Sequence, residues 1–172
     1  LVPDEAALTS TAWMSGVFHS MLTQGHVSFN RCLSTTRSYL GLFRARGLRV
    51  FVEIDGAWHL LDQPSAFEMR PEACRWWYRH AQGLIEVEAG AATDRHQLSL
   101  ALRTLEGPPL RYLLSLHLAL DGDDGEHAGP VNFSCEASTI RLWPSAGSAM
   151  RERFGAAGFS LALQGGARFA RV

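Results

Sequence analysis

Arg49-Val50-Phe51-Val52-Glu53-Ile54-Asp55-Gly56-Ala57-Trp58 decides the fold class. Val50, Val52 and Ile54 alternate with Arg49, Phe51 and Glu53, the period of two that sends successive side chains to opposite faces of a strand. Asp55-Gly56 follows directly, and both residues tolerate positive φ. The strand is therefore expected to fold back through a tight hairpin into Trp58–Leu61.

The same period continues outward in both directions. Pro64 and Pro71 bracket what reads as a connection, and Arg75-Trp76-Trp77-Tyr78-Arg79-His80 follows as an aromatic strand. Gly83 turns it toward Leu84–Glu88, where Ile85 and Val87 oppose Glu86 and Glu88. Leu98, Leu100 and Leu102 then alternate with Gln97, Ser99 and Arg103, and Glu106-Gly107-Pro108-Pro109 reads as a turn. Leu110, Tyr112, Leu114, Leu116, Leu118 and Leu120 form the longest alternating face. Leucine favours helix, but strict alternation over six positions selects strand. Asp121–Pro130 is a polar, Gly-rich loop, and Val131, Phe133 and Cys135 predict a further strand. Ser148–Phe154 can hold a short helical turn, and Phe159, Leu161 and Leu163 return to alternation. Upstream, Val17–Thr23 and Val27–Leu33 predict a hairpin around Gln24-Gly25, with another strand at Tyr39–Phe43 before the turn Arg44-Ala45-Arg46-Gly47. About ten short strands separated by turns give a mainly β, antiparallel sandwich with at most one or two short helices. A chain of 172 residues suits a single domain over residues 1–172.

Composition narrows the partners. The chain is 47% hydrophobic and 19% charged, which fits a globular core and excludes disorder. A formal net charge of -1 gives no electrostatic reason to expect nucleic acid. All 16 basic residues are arginine. Cys32, Cys74 and Cys135 are odd in number and widely spaced, as in a reduced cytoplasmic protein rather than a disulfide framework. No apolar run is long enough for a transmembrane helix, and residues 1–10 lack the pattern of a signal peptide. Both ends read as cut from a longer polypeptide, the last eight residues stopping inside what looks like a strand pattern.

No catalytic motif stands out. The seven histidines show no metal-ligand spacing, the cysteines form no Cys-x-x-Cys, and no Gly-x-Ser-x-Gly, Walker or dinucleotide loop is present. No cofactor or metal is expected. Asp121-Gly122-Asp123-Asp124-Gly125-Glu126 is rich in carboxylates but lacks the order of a calcium loop, so it reads as a solvated turn. Glu86 and Glu88 lie about 7 Å apart by strand geometry. On a face that looks exposed they read as a solvated pair, not the two acids of a glycosidase. The aromatic strand holds the candidate contacts. Trp76, Tyr78 and His80 share one face, opposite Arg75, Trp77 and Arg79. A row of planar rings can stack a pyranose while arginines donate to its hydroxyls, which makes Trp76, Tyr78, Arg79 and His80 candidate carbohydrate contacts. Core packing of the tryptophans is the competing reading.

The order of these segments resembles the N-terminal β-supersandwich domain of family 94 glycoside phosphorylases and its relative in cyclic β-1,2-glucan synthases. The resemblance runs through Met21-Leu22-Thr23-Gln24-Gly25-His26, Thr36-Arg37-Ser38-Tyr39-Leu40-Gly41, Arg49 to Trp58, Gln63-Pro64, Tyr78-Arg79-His80, Gln97–Thr104 and Leu110–Leu120. It departs from the family in the first turn, and the chain is shorter than a full supersandwich. What the resemblance implies is a galactose-mutarotase-like sandwich that packs on a separate (α/α)6 catalytic barrel, with no catalytic residue of its own. The function it suggests is a non-catalytic domain of a carbohydrate-active enzyme, with an oligosaccharide or glucan as the associated ligand and the rest of the polypeptide as partner. Two alternatives stay open. One is a mutarotase-like epimerase using His80, His96 or His117 with Glu53 or Glu86; the other is a purely structural interaction sandwich.

Overall fold

A computed structural model describes residues 11–13, 21–24, 47–61, 64–70, 73–95, 97–117, 131–148, 151–152, 155–156 and 158–170. Twelve strands run through them: β1 (Thr11–Trp13), β2 (Met21–Gln24), β3 (Gly47–Ile54), β4 (Ala57–Leu60), β5 (Ala66–Met69), β6 (Ala73–His80), β7 (Gly83–Ala91), β8 (Leu98–Glu106), β9 (Arg111–His117), β10 (Val131–Glu136), β11 (Thr139–Pro144) and β12 (Phe159–Ala162). They pair, always antiparallel, as β1-β2, β4-β3-β9, β5-β6-β7-β8 and β10-β11-β12. The chain divides into two compact units, the first built on β1–β9 and the second on β10–β12.

The first unit is a sandwich. Alternation in β3 sends Val50 and Val52 inward, and alternation in β6 and β7 does the same for Cys74, Trp76, Tyr78, Ile85, Val87 and Ala89. These residues and Leu61 form one buried cluster. Ile54, Phe67, Leu98, Leu100, Leu102, Leu110 and Tyr112 pack against it from neighbouring strands. Two sheets, β4-β3-β9 and β5-β6-β7-β8, thus share a core. Each fully buried Val, Leu or Ile stabilises it by about 1.5–3 kcal/mol. Asp55 and Gly56 both take positive φ, 51° and 77°, giving the hairpin turn whose twist matches the strands it joins. Asp55 Oδ1 also accepts a 2.7 Å hydrogen bond from Gln82 Nε2, so the β3–β4 turn is tied to the β6–β7 turn of the facing sheet.

The expected mainly antiparallel sandwich is what the chain forms, though several elements differ from their sequence reading. The stretch after Pro64, read as a connection, contains β5, an edge strand whose Phe67 ring lies 5.6 Å from that of Trp76. Thr139–Pro144 is a strand that alternation in the flanking segments did not draw attention to. At the N-terminal side β2 pairs with β1. The expected strand at 27–33, the one at 39–43 and the loop at 121–130 lie outside the described residues. Gly165 and Gly166 form a turn, and 167–170 do not continue a strand.

In the second unit β11 is central, with Ile140 and Leu142 buried on one face. A helical turn follows at the expected place. Ser148 Oγ donates to Ser145 O (2.9 Å) and accepts from Arg151 N (3.1 Å), the geometry of an N-terminal cap that satisfies an otherwise orphaned amide. Glu152 N and Gly155 N then bond to Ser148 O and Arg151 O.

Candidate functional site

The aromatic strand β6 splits its side chains as period two requires. Trp76 is wholly buried and Tyr78 nearly so, both inside the sandwich, so Trp76 has no exposed ring for a sugar to stack on. The reason is the second sheet: alternation defines two faces, and β3 covers the one that carries Trp76. Arg79 points the other way, is exposed and binds Glu106 at 2.5 Å, while its backbone N–H donates to Ser65 Oγ. His80 is half-buried at the strand end, its Nδ1 3.4 Å from Gln82 N. Trp76, Tyr78, Arg79 and His80 therefore do not form one surface.

Of the acids and bases considered for epimerisation, His80, Glu86 and Glu53 do not converge: His80 lies on the inner side of β6, whereas Glu86 lies on the outer face of that sheet and Glu53 on the outer face of the other. His96 and the side chain of His117 lie outside the described residues. No group of three or more metal-binding side chains occurs among the described residues.

The outer face of β5-β6-β7-β8 carries a ladder of charges. Register sets Glu68, Arg75 and Glu88 in one row across three strands, and Trp77, Glu86 and Arg103 in the next. Arg75 donates through Nε to Glu88 and its Nη1 lies 3.8 Å from Glu68, while Arg103 reaches Glu86 at 2.7 Å and Glu88 at 3.7 Å. The solvated acid pair expected at Glu86 and Glu88 is thus corrected. Glu86 is only 8% exposed, and each acid is neutralised by an arginine from an adjacent strand. The hydrogen bond from Arg75 holds the Glu88 carboxyl below its ordinary range, with partial burial opposing and the charges of Arg75 and Arg103 adding to the effect. The ladder is built as cross-strand pairing of these acids with arginines.

The opposite outer face, on β4-β3-β9, is different in kind. The hairpin register places Leu60, Phe51 and Leu113 in one row and Trp58, Glu53 and Arg111 in the next. Trp58, Leu60 and Leu113 are each more than 40% exposed. Arg111 Nη1 donates to Glu53 Oε2 at 2.6 Å, and its guanidinium carbon lies 5.6 Å from the centre of the Trp58 ring. An aromatic and two leucines around one neutralised ion pair match the make-up of a recognition surface, where Trp and Arg are enriched and apolar area is contiguous. Sequence reasoning passed over this face, although the two-residue Asp55-Gly56 turn already sets Trp58 opposite Glu53.

The sequence pattern of the glycoside phosphorylase supersandwich domain matches residues 2–170. The chain belongs to that family. It is also similar to a 1,2-beta-oligoglucan phosphorylase of Listeria innocua serovar 6a (strain ATCC BAA-680 / CLIP 11262), at 25% identity over 155 residues. That alignment covers 90% of this chain and 14% of the relative.

As a supersandwich domain, the chain offers two outer sheet faces of contrasting character on its first unit. The charged one is internally satisfied. The one around Trp58 leaves Trp58, Leu60 and Leu113 open to solvent. No helix among the described residues is long and apolar enough to cross a membrane.

Proposed function

We propose that this supersandwich domain is a non-catalytic part of a larger glycan-processing protein. In this reading it docks through the Trp58 face of β4-β3-β9 onto the portion of the polypeptide that carries out catalysis, and helps shape the oligosaccharide site there. The observation that carries this reading is the contiguous exposure of Trp58, Leu60 and Leu113 around Phe51. Family membership supports the carbohydrate context, and a relative about seven times longer than the matched segment supports a multidomain parent. The free thiols of Cys74 and Cys135 suit work in the reducing cytoplasm.

The test is to produce the chain and the remainder of its parent polypeptide separately and measure their association by calorimetry. Trp58→Asp and Leu113→Asp should each weaken binding by about 2 kcal/mol or more, as at a central interface position, with unchanged circular dichroism of the free chain. Undiminished association in both variants would remove the docking role from this face. Turnover of β-linked or α-linked glucans by the folded chain alone would contradict the non-catalytic assignment.

A further inference from the structure

Among the described residues, the two larger sheets of the first unit end on the edge strands β4, β9, β5 and β8. Three of these are blunted in ways that keep an edge from recruiting another strand. β4 and β5 are only four residues long, and β8 carries Arg103 and Glu106, both ion-paired to neighbouring strands. β9 is different. It runs for seven residues, Arg111–His117, and Tyr112, Leu113, Leu114, Ser115 and Leu116 between its ends bear no charge. The peptide groups on its open side follow from the ladder. Leu61 N donates to Val50 O at 2.9 Å, so Val50, Val52 and Ile54 turn their peptide groups toward β4. Arg49, Phe51 and Glu53 therefore bond to Ser115, Leu113 and Arg111 of β9. Tyr112, Leu114 and Leu116 direct their N–H and C=O groups to the free edge.

The side chains point the same way. Val50 is fully buried, yet Leu114, directly across from it on the same inner face, is 44% exposed. Leu113, on the outer face beside Phe51, is 42% exposed. The cover over the core thus ends between β3 and β9. Adjacent leucines open on both faces of one strand suit a position inside a sheet that is covered on both sides. They do not suit a sheet edge.

We propose that β9 pairs along this edge with an extended segment from the rest of the parent polypeptide, whose apolar side chains cover Leu113 outside and Leu114 inside. The pairing rests on the docking of the β4-β3-β9 face described under the proposed function, and it names the element that meets that face. Leu113 belongs both to the face and to the edge, so a partner lying over the face arrives at the outward peptide groups of Leu114. The matched segment is 14% of its relative, which leaves ample further chain to supply a strand. In such strand addition the main-chain bonds give affinity and the alternating side chains give register.

The experiment is hydrogen–deuterium exchange at the amides of Tyr112, Leu114 and Leu116, read by mass spectrometry with residue-resolving fragmentation. It compares the chain alone with the intact parent polypeptide at the same pH and temperature. Strand pairing should slow these amides by about tenfold or more in the parent. Leu114→Pro removes the central outward N–H without touching the bonds to β3, a substitution that sheet edges tolerate. In that parent variant Tyr112 and Leu116 should exchange as fast as in the chain alone, whereas Leu114→Val should keep the protection. Where Leu114→Pro disturbs folding, the wild-type comparison decides by itself. Equal exchange in chain and parent would overturn the proposal, and so would undiminished protection in a folded Leu114→Pro parent. Protection already present in the chain alone would overturn it as well, because the edge would then be filled from within. Protection that rises with the concentration of the chain would assign the edge to a second copy instead. Docking is judged separately. If Trp58→Asp weakens association while the amides exchange alike in both settings, the face docks without a strand. If the amides are protected in the parent and Trp58→Asp changes nothing, the strand stands and the face does not.

Discussion

Gly83 and Gly107 meet backbone to backbone where β7 begins and β8 has just ended. A Cβ on Gly83 would lie 2.0 Å from Glu106 O and 3.2 Å from the Gly107 Cα; one on Gly107 would lie 2.3 Å from Gln82 O. The contact adjoins the register shift between Leu84 and Ile85, so the bulge and the glycine pair together set how β8 closes on β7.

Because every atom in the way belongs to the main chain, side-chain rotation cannot relieve the clash. Gly83→Ala is expected to destabilise the first unit by about 2–4 kcal/mol, the range for backbone-incompatible substitutions. Gly107→Ala should do at least as much, since φ is +94° there. Urea denaturation midpoints of the two variants check this, and a change within about 0.5 kcal/mol, the usual surface range, would contradict it.

Trp76 and its neighbour Trp77 should respond unequally to truncation. Trp76→Ala opens a void at the centre of the sandwich and is expected to remove about 3–5 kcal/mol. Trp77→Ala, on the outer face and half-buried, should lose clearly less. Equal losses would mean that the core does not centre on Trp76.

The acid limb of stability should run through Glu88. Its folded pKa lies below the ordinary 4.5, chiefly because of the hydrogen bond from Arg75. The carboxylate form is thus favoured in the folded state, and its contribution is complete above about pH 4.5, the unfolded value. It is lost as pH falls from there through the lower folded value. Glu88→Gln should flatten this part of the stability-versus-pH curve and leave its slope above neutrality unchanged, as measured by urea melts at stepped pH.

Thiol reagents should separate Cys74 from Cys135. Burial pushes the Cys74 thiol up to about 11, so at pH 8 it is protonated as well as covered, whereas Cys135 is exposed. In a Cys32→Ser background, mass spectrometry should find one rapid modification, at Cys135, and a second only on unfolding. Rapid labelling of Cys74 in the folded chain would contradict its place in the core.

Much of this architecture was legible in the residues because period two and turn chemistry are local. The Asp55-Gly56 hairpin, the split of Ile85 and Val87 from Glu86 and Glu88, and the leucines of β8 all follow from patterns a few residues long. β5 was missed because flanking prolines read as breakers, although an edge strand tolerates a proline before it. β11 was missed although Thr139-Ile140-Arg141-Leu142-Trp143 alternates; it is short and follows a long polar stretch. The site was harder to read for a different reason. Alternation tells which residues share a face but not which face another sheet will cover, so Trp76 was taken as a candidate contact and Trp58 was passed over. Arg75 and Arg79 beside Trp77 were the usable cue, since charged neighbours mark the outward side.

The bond from Arg111 to Glu53 joins positions 58 apart in sequence, and it lies in the ladder that completes the β4-β3-β9 sheet. The β5–β8 meander, by contrast, is made wholly of neighbours in sequence. Local hairpins close quickly, while a strand that must return over such a loop closes late. During synthesis the whole meander emerges from the ribosome before β9 does. Until β9 arrives, β3 waits with one edge open and Val50 and Val52 in reach of other chains. That interval, more than any weakness of the finished sandwich, is where this chain is exposed to misassembly and where a chaperone would act.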